Sequence, residues 1–193
     1  MLVETLQFLI KTLSDLFVLV LLLRFYLQVA HAPFRHPICQ FAMAVTNFIV
    51  LPARRLIPSF KSYDTATLLV GWVVGLATNA AILALNPIPY NFATPETWLA
   101  LALLSVLYLF KQSLNLLMGA VIVQAVMSWV NPYNPLAPLL DSLTRPYLRP
   151  FRRFAIGGVD LSPMILFLII QVILMLPVRL LEANLLMQLK MLM

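Results

Sequence analysis

Four long apolar runs, separated by two proline-broken basic stretches, set the pattern of this chain. The runs cover about residues 6–30, 65–86, 98–130 and 162–177. A helix of ~20 apolar residues crosses a bilayer, so each run predicts a membrane span. The third is long: 33 residues (98–130) would reach ~50 Å against a hydrocarbon core of ~30 Å. Either it projects outward before Lys111, with the span proper at 112–130, or it breaks near Lys111–Asn115; projection is the expectation. Pro163 suits a first helical turn, where a missing N–H costs little, and Pro177 is expected to end the fourth helix, leaving a C-terminal tail. In the first basic stretch Ile38, Phe41, Ala42, Val45, Phe48 and Ile49 recur at helical spacing. Pro37–Leu51 and its counterpart Pro138–Leu148 therefore predict short helices lying in the interface, with a shallow re-entrant hairpin as the rival geometry.

The pattern is written twice. "FLIKTL" around Lys11 matches "YLFKQS" around Lys111, Thr46 aligns with Thr144, and Pro52 with Pro150. Arg54 and Arg55 align with Arg152 and Arg153, and Asp64 with Asp160. Each unit, 1–95 and 96–193, reads as helix, interfacial basic segment (31–64 or 131–161), helix. A unit with an even number of spans repeats in the same orientation, so the halves are parallel repeats. The predicted fold is an all-α membrane protein of four transmembrane helices.

Composition agrees with that pattern. Of 193 residues 62% are apolar and 10% charged, too few charges to cover a water-soluble surface. The net charge of +6 then points to an anionic membrane surface; no nucleic-acid module is present. With four spans, Arg24, Arg35, Arg54, Arg55, Lys61, Arg145, Arg149, Arg152 and Arg153 share one side, while Lys11, Lys111, Arg179 and Lys190 share the other. Nine against four places the basic segments in the cytoplasm and both termini outside. No basic n-region precedes the first apolar run, so a cleaved signal peptide is not expected. The lone Cys39 forms no intramolecular disulfide.

The candidate chemistry is sparse. Arg54/Arg55 and Arg152/Arg153, with Arg145 and Arg149, stand at headgroup depth and read as anchors or as phosphate-gripping forks for lipid or a membrane partner. Asp64 and Asp160 each precede a helix, where a carboxylate caps free N–H groups or pairs with a nearby arginine; a proton or cation relay is the alternative. Lys11 and Lys111 lie nineteen residues before Ala30 and Val130, at the outer edge, and Asp15 is one turn from Lys11 as its expected partner. Near mid-depth the expectation is neutral groups alone, with Asn79, Gln124 and Gln171 as interhelical hydrogen-bond partners. Gly71 and Gly75 form a GxxxG face, for packing within the monomer or for a homo-oligomer. His31 and His36 flank Pro33 and read as interfacial. No metal-spaced cluster, phosphate loop or catalytic constellation is visible, and no cofactor is expected.

Together "LLLRFYLQ" (Leu21–Gln28), "LPARRLIP" (Leu51–Pro58), "VMSWV" (Val126–Val130), "LRPFRRFA" (Leu148–Ala155) and "GGVDLSPMI" (Gly157–Ile165) resemble the YggT family of integral membrane proteins, also called YlmG. The first repeat is the looser copy, with "KSYDTAT" where the second has "GGVDLSP". The resemblance implies a small bacterial inner-membrane protein associated with osmotic-stress tolerance and cation homeostasis. With the basic segments, it leads to a non-enzymatic scaffold or accessory protein that binds anionic phospholipid or a membrane partner. The alternative is an oligomeric channel or transporter subunit for a small cation, which would need a continuous polar cavity.

Overall fold

The computed structural model describes residues 1–57, 63–86, 90–131, 134–151, 155–156 and 159–191. Among the described residues seven helices carry the fold: α1 (Leu2–Val29), α2 (Pro37–Leu56), α3 (Thr65–Ala84), α4 (Pro95–Val130), α5 (Ala137–Leu148), α6 (Ser162–Ile173) and α7 (Arg179–Met191). A two-residue antiparallel ribbon, β1 (Ala155–Ile156) with β2 (Val159–Asp160), precedes α6 and pairs Ala155 with Asp160. Among the described residues four helices are long and apolar enough to cross a membrane: Leu2–Val29, Thr65–Ala84, Pro95–Ser128 and Ser162–Met191.

The third span does not break. α4 runs 36 residues without interruption, ~54 Å, so it projects well past a ~30 Å core. The fourth helix corrects the sequence reading. It does not stop before Pro177: a π-turn, Leu174–Val178, absorbs the proline and α7 continues to Met191. A wider i→i+5 turn makes room for a ring that would clash with the carbonyl four residues back. What was expected to be a tail is a helical extension, and its Leu189 is buried with Leu83, Ala100, Leu101 and Leu104.

The ends of the bundle follow from these contacts. Gln7 of α1 donates to the Ile82 carbonyl near the end of α3 (3.2 Å), and Leu189 packs at that same end. The start of α1 and the end of α7 are therefore on one side. At the opposite end Cys39 of α2 and Leu139 of α5 meet around Leu27 and Ala32. α2 packs on α1 and α3, as α5 packs on α4 and α6, with α3 and α4 joining the halves.

The connection from α1 to α2 shows how the sequence turns the chain. The helix closes at Ala30, His31 takes φ 53°, and Ala32 N–H reaches back to the Leu27 carbonyl (3.0 Å). A left-handed histidine costs of order 1 kcal/mol, and Pro33, two residues on, bars the helix from continuing. His36 then starts α2, its Nδ1 accepting the Ile38 N–H (3.3 Å), with Pro37 in the first turn. Cys39, Ala42, Thr46 and Val50 form the buried stripe of α2, while Phe41 and Phe48 face outward. Only lipid would shelter those exposed rings without a protein partner.

Candidate functional site at the basic end of the bundle

Arg24 is the centre of this end. It is 7% exposed, and its Nη1 donates to Thr46 Oγ1 (2.7 Å) and Asn47 Oδ1 (2.9 Å) on α2. A cation inside a span needs such partners, since an unpaired one costs several kcal/mol even by lenient scales. The Thr46 hydroxyl in turn donates to the Ala42 carbonyl (2.6 Å), one helical turn back.

Two turns further along α2, Arg54 forks onto Asp64. Nε reaches Oδ1 at 3.2 Å and Nη2 reaches Oδ2 at 2.5 Å. Asp64 is also the N-cap of α3, accepting the Thr67 N–H (3.3 Å) and the Thr67 hydroxyl (2.5 Å). Burial pushes this carboxyl up, but the bonds from Arg54 and Thr67 outweigh it and hold it below its ordinary 3.8. Arg24 and Arg54 line a cavity of about 70 Å³ with Gln28 and Cys39, and Asp64, held by Arg54, offsets one of the two positive charges. Burial pushes the Cys39 thiol up, which disfavours the reactive thiolate.

The arginines of the sequence pairs separate here. Arg54 is committed to Asp64, whereas Arg55 is exposed and makes no hydrogen bond or ion pair among the described residues. Arg145 on α5 and Arg149, its C-cap, are likewise exposed and unpaired among the described residues. Arg152 and Arg153 lie outside the described residues. Asp160 stands in β2, one residue before Leu161, the N-cap of α6; its side chain is also outside the described residues.

The second repeat reproduces the inner contact in neutral form. The Thr144 hydroxyl meets Gln124 Oε1 and also lies 2.8 Å from the Leu140 carbonyl, as Thr46 meets Arg24 and Ala42. Gln171 Nε2 reaches Met118 Sδ (3.3 Å) and Asn79 Nδ2 reaches Ser105 Oγ (3.3 Å), so all three neutral groups bridge helices. Gly71 and Gly75 face α4. A Cβ on Gly75 would stand 2.8 Å from Tyr108 Cδ1, and one on Gly71 3.2 Å from Leu109 Cδ2. That face is filled within the monomer, so any homo-oligomer would use another.

The half of the bundle opposite the basic end departs from the sequence reading. Asp15 does not pair with Lys11; its Oδ1 accepts from Tyr108 Oη and Gln112 Nε2, both at 2.6 Å. Lys111 pairs with Glu182 (2.9 Å), from the helix extension beyond Pro177. These groups surround a cavity of about 310 Å³ together with Thr78 and Asn79. Asn79 is five residues short of the end of α3, ~8 Å inside it, so charged as well as neutral groups stand within the spans. Asp15 and Arg24 are nine residues apart on α1, ~13 Å, with buried Val18, Leu21 and Leu22 between them, and the two cavities share no lining residue.

A family description, CCB3/YggT, matches residues 3–85 and 103–181. The chain belongs to that family. The two matched segments fall one in each repeat. The chain is 39% identical to YggT of Escherichia coli (strain K12) over 173 residues, 88% of this chain and 87% of that protein. It is 34% identical over 180 residues to a protein of Pseudomonas aeruginosa, covering 91% and 89%. A Haemophilus influenzae protein is 32% identical over 165 residues, covering 83% and 84%. No solved structure matches. This YggT-family chain is thus a multi-pass, all-helical membrane protein homologous to bacterial proteins whose names assign no activity.

Proposed function

We propose that the protein is a non-enzymatic scaffold or accessory factor of the bacterial inner membrane, with α2 and α5 as two basic shelves on the cytoplasmic face. Both termini are then periplasmic. The observation that carries the reading is the set of exposed guanidinium groups, Arg55, Arg145 and Arg149, unpaired among the described residues, on or at the end of helices whose other faces dock on the bundle. Each such group gains ~1 kcal/mol near an anionic leaflet, and its planar fork suits a phosphate. Arg54 is a structural member of the first shelf, because Asp64 already holds it. Arg152 and Arg153 would complete the second. A role in osmotic-stress tolerance and cation balance is what the family resemblance adds.

The test is Arg55, Arg145 and Arg149 changed together to lysine. Charge and topology persist, but the two-pronged donor is lost. Native mass spectrometry should show weaker retention of phosphatidylglycerol or cardiolipin, and growth under osmotic shock should suffer. Retention and growth equal to the parent's would reduce the shelves to topological anchors.

The cavity near Asp15 favours a second reading, a channel or transporter subunit for a small cation. Against it stands the apolar layer of Val18, Leu21 and Leu22, which separates that cavity from the basic end. Cation flux into liposomes holding the purified chain would favour this reading over the scaffold.

A further inference from the structure

The outer cavity holds ionisable groups that the basic shelves do not use, and their bonding is uneven. Lys111 and Glu182 satisfy each other at 2.9 Å. Asp15 spends Oδ1 on Tyr108 and Gln112, while no described group bonds its Oδ2. Lys11, one turn earlier on the same helix, makes no hydrogen bond or ion pair among the described residues. Two opposite charges at i, i+4 normally meet. Here Tyr108 and Gln112 draw the carboxylate toward α4, and no ion pair forms with the Lys11 ammonium that lines the same cavity. One anion and one cation thus line the same space of about 310 Å³ with bonding capacity to spare.

A lone cation would satisfy Asp15 and leave Lys11; a lone anion would do the reverse. Asp15 is half-buried within the span and needs a partner for its second oxygen, while the exposed Lys11 beside it keeps an ammonium to spare. We propose that the cavity is a binding site for a zwitterion with a primary ammonium and a phosphate, the ammonium on Asp15 and the phosphate on Lys11. Asn79 and Asn115, also in the lining, offer neutral hydrogen bonds to either end. Phosphoethanolamine is the smallest compound with that chemistry. It occurs as the headgroup of phosphatidylethanolamine and as a free solute. The site lies at the opposite end from the basic shelves and does not depend on them.

The experiment uses the full chain in two arms. In nanodiscs of equal parts phosphatidylethanolamine and phosphatidylglycerol, native mass spectrometry measures which lipid stays bound. In phosphatidylglycerol nanodiscs, thermal shift measures stabilisation by free phosphoethanolamine against inorganic phosphate and against ethanolamine. Lys11→Gln and Asp15→Asn should each weaken binding about tenfold, the loss of one charged hydrogen bond. Selective retention of the ethanolamine lipid assigns the site to a headgroup; stabilisation by free phosphoethanolamine assigns it to a solute. Lys11→Gln leaves the Asp15 bonds to Tyr108 and Gln112 intact, so it should fold. If Asp15→Asn does not fold, the acidic half is decided by whether phosphoethanolamine exceeds both of its fragments. The proposal is overturned if neither arm shows preference, if Lys11→Gln changes nothing, or if phosphate or ethanolamine alone binds as well.

Discussion

Replacing Asp64 with alanine should be among the most damaging single changes at the basic end, and the structure gives its size. The carboxylate is 3% exposed and accepts four bonds: two from Arg54, one from the Thr67 N–H and one from its hydroxyl. Loss of an N-cap costs ~1 kcal/mol. Loss of buried bonds to a charged acceptor adds ~1.5–3 kcal/mol. The Arg54 part is discounted, because that side chain is 41% exposed and water can replace its partner. A total of about 2–3 kcal/mol follows. Asparagine keeps the cap and loses the charge, so Asp64→Asn should cost roughly half as much. The pH dependence has a definite sign. The folded carboxyl titrates below its ordinary 3.8, so its stabilisation is full above about pH 4 and is lost as pH falls through the lower, folded value. Unfolding in detergent by a denaturant series, followed by circular dichroism, measures all three. Asp64→Ala within ~0.5 kcal/mol of the parent, or an Asp64→Asn variant with the parent's acid limb, would refute the assignment.

Two further predictions are direct. Gly75→Ala should destabilise by ~1–3 kcal/mol, because Tyr108 must move and Tyr108 holds Asp15; Gly71→Ala should cost less, since it meets only the end of Leu109. Thermal unfolding in detergent ranks the two, and an equal or reversed order counts against this packing. In a Cys39→Ala background, membrane-impermeant thiol reagents should label Glu4→Cys from outside and Arg55→Cys only after permeabilisation; the opposite pattern would invert the orientation.

What the sequence made legible follows from where its signals were local. The spans, the repeat and the interfacial helices rest on runs and periodicities, which lipid and helix geometry impose directly. Pro177 misled because proline ends most helices, yet a bilayer leaves backbone groups no solvent, so the chain kept its helix through a π-turn. Asp15 misled differently. The nearest opposite charge on its own helix was Lys11, but Tyr108 and Gln112, ninety residues away and more, won the carboxylate. A hint was present: Tyr108, Lys111, Gln112 and Asn115 form a polar stripe at helical spacing on α4, which called for a polar partner on a neighbouring helix. Arg24 carried no such hint, because its partners Thr46 and Asn47 sit beyond a turn whose shape depends on a left-handed histidine.

The two repeats also offer an internal control on Arg24. Thr46 and Thr144 occupy matching places, each returning a bond to the carbonyl four residues back, yet one meets an arginine and the other a glutamine. If position 24 exists only to pin α2 onto α1, glutamine should serve there as Gln124 serves in the second repeat. Arg24→Gln should then cost ~1 kcal/mol or less, while Arg24→Leu, which leaves Asn47 without that donor, should cost ~2–3 kcal/mol. If instead the positive charge is needed, both substitutions should fail alike, since neither restores the second cation that lines the small cavity beside Arg54. Unfolding in detergent separates these outcomes. A near-silent Arg24→Gln makes the first repeat a charged copy of a neutral clamp. Equal losses make it a distinct electrostatic site that duplication alone does not explain.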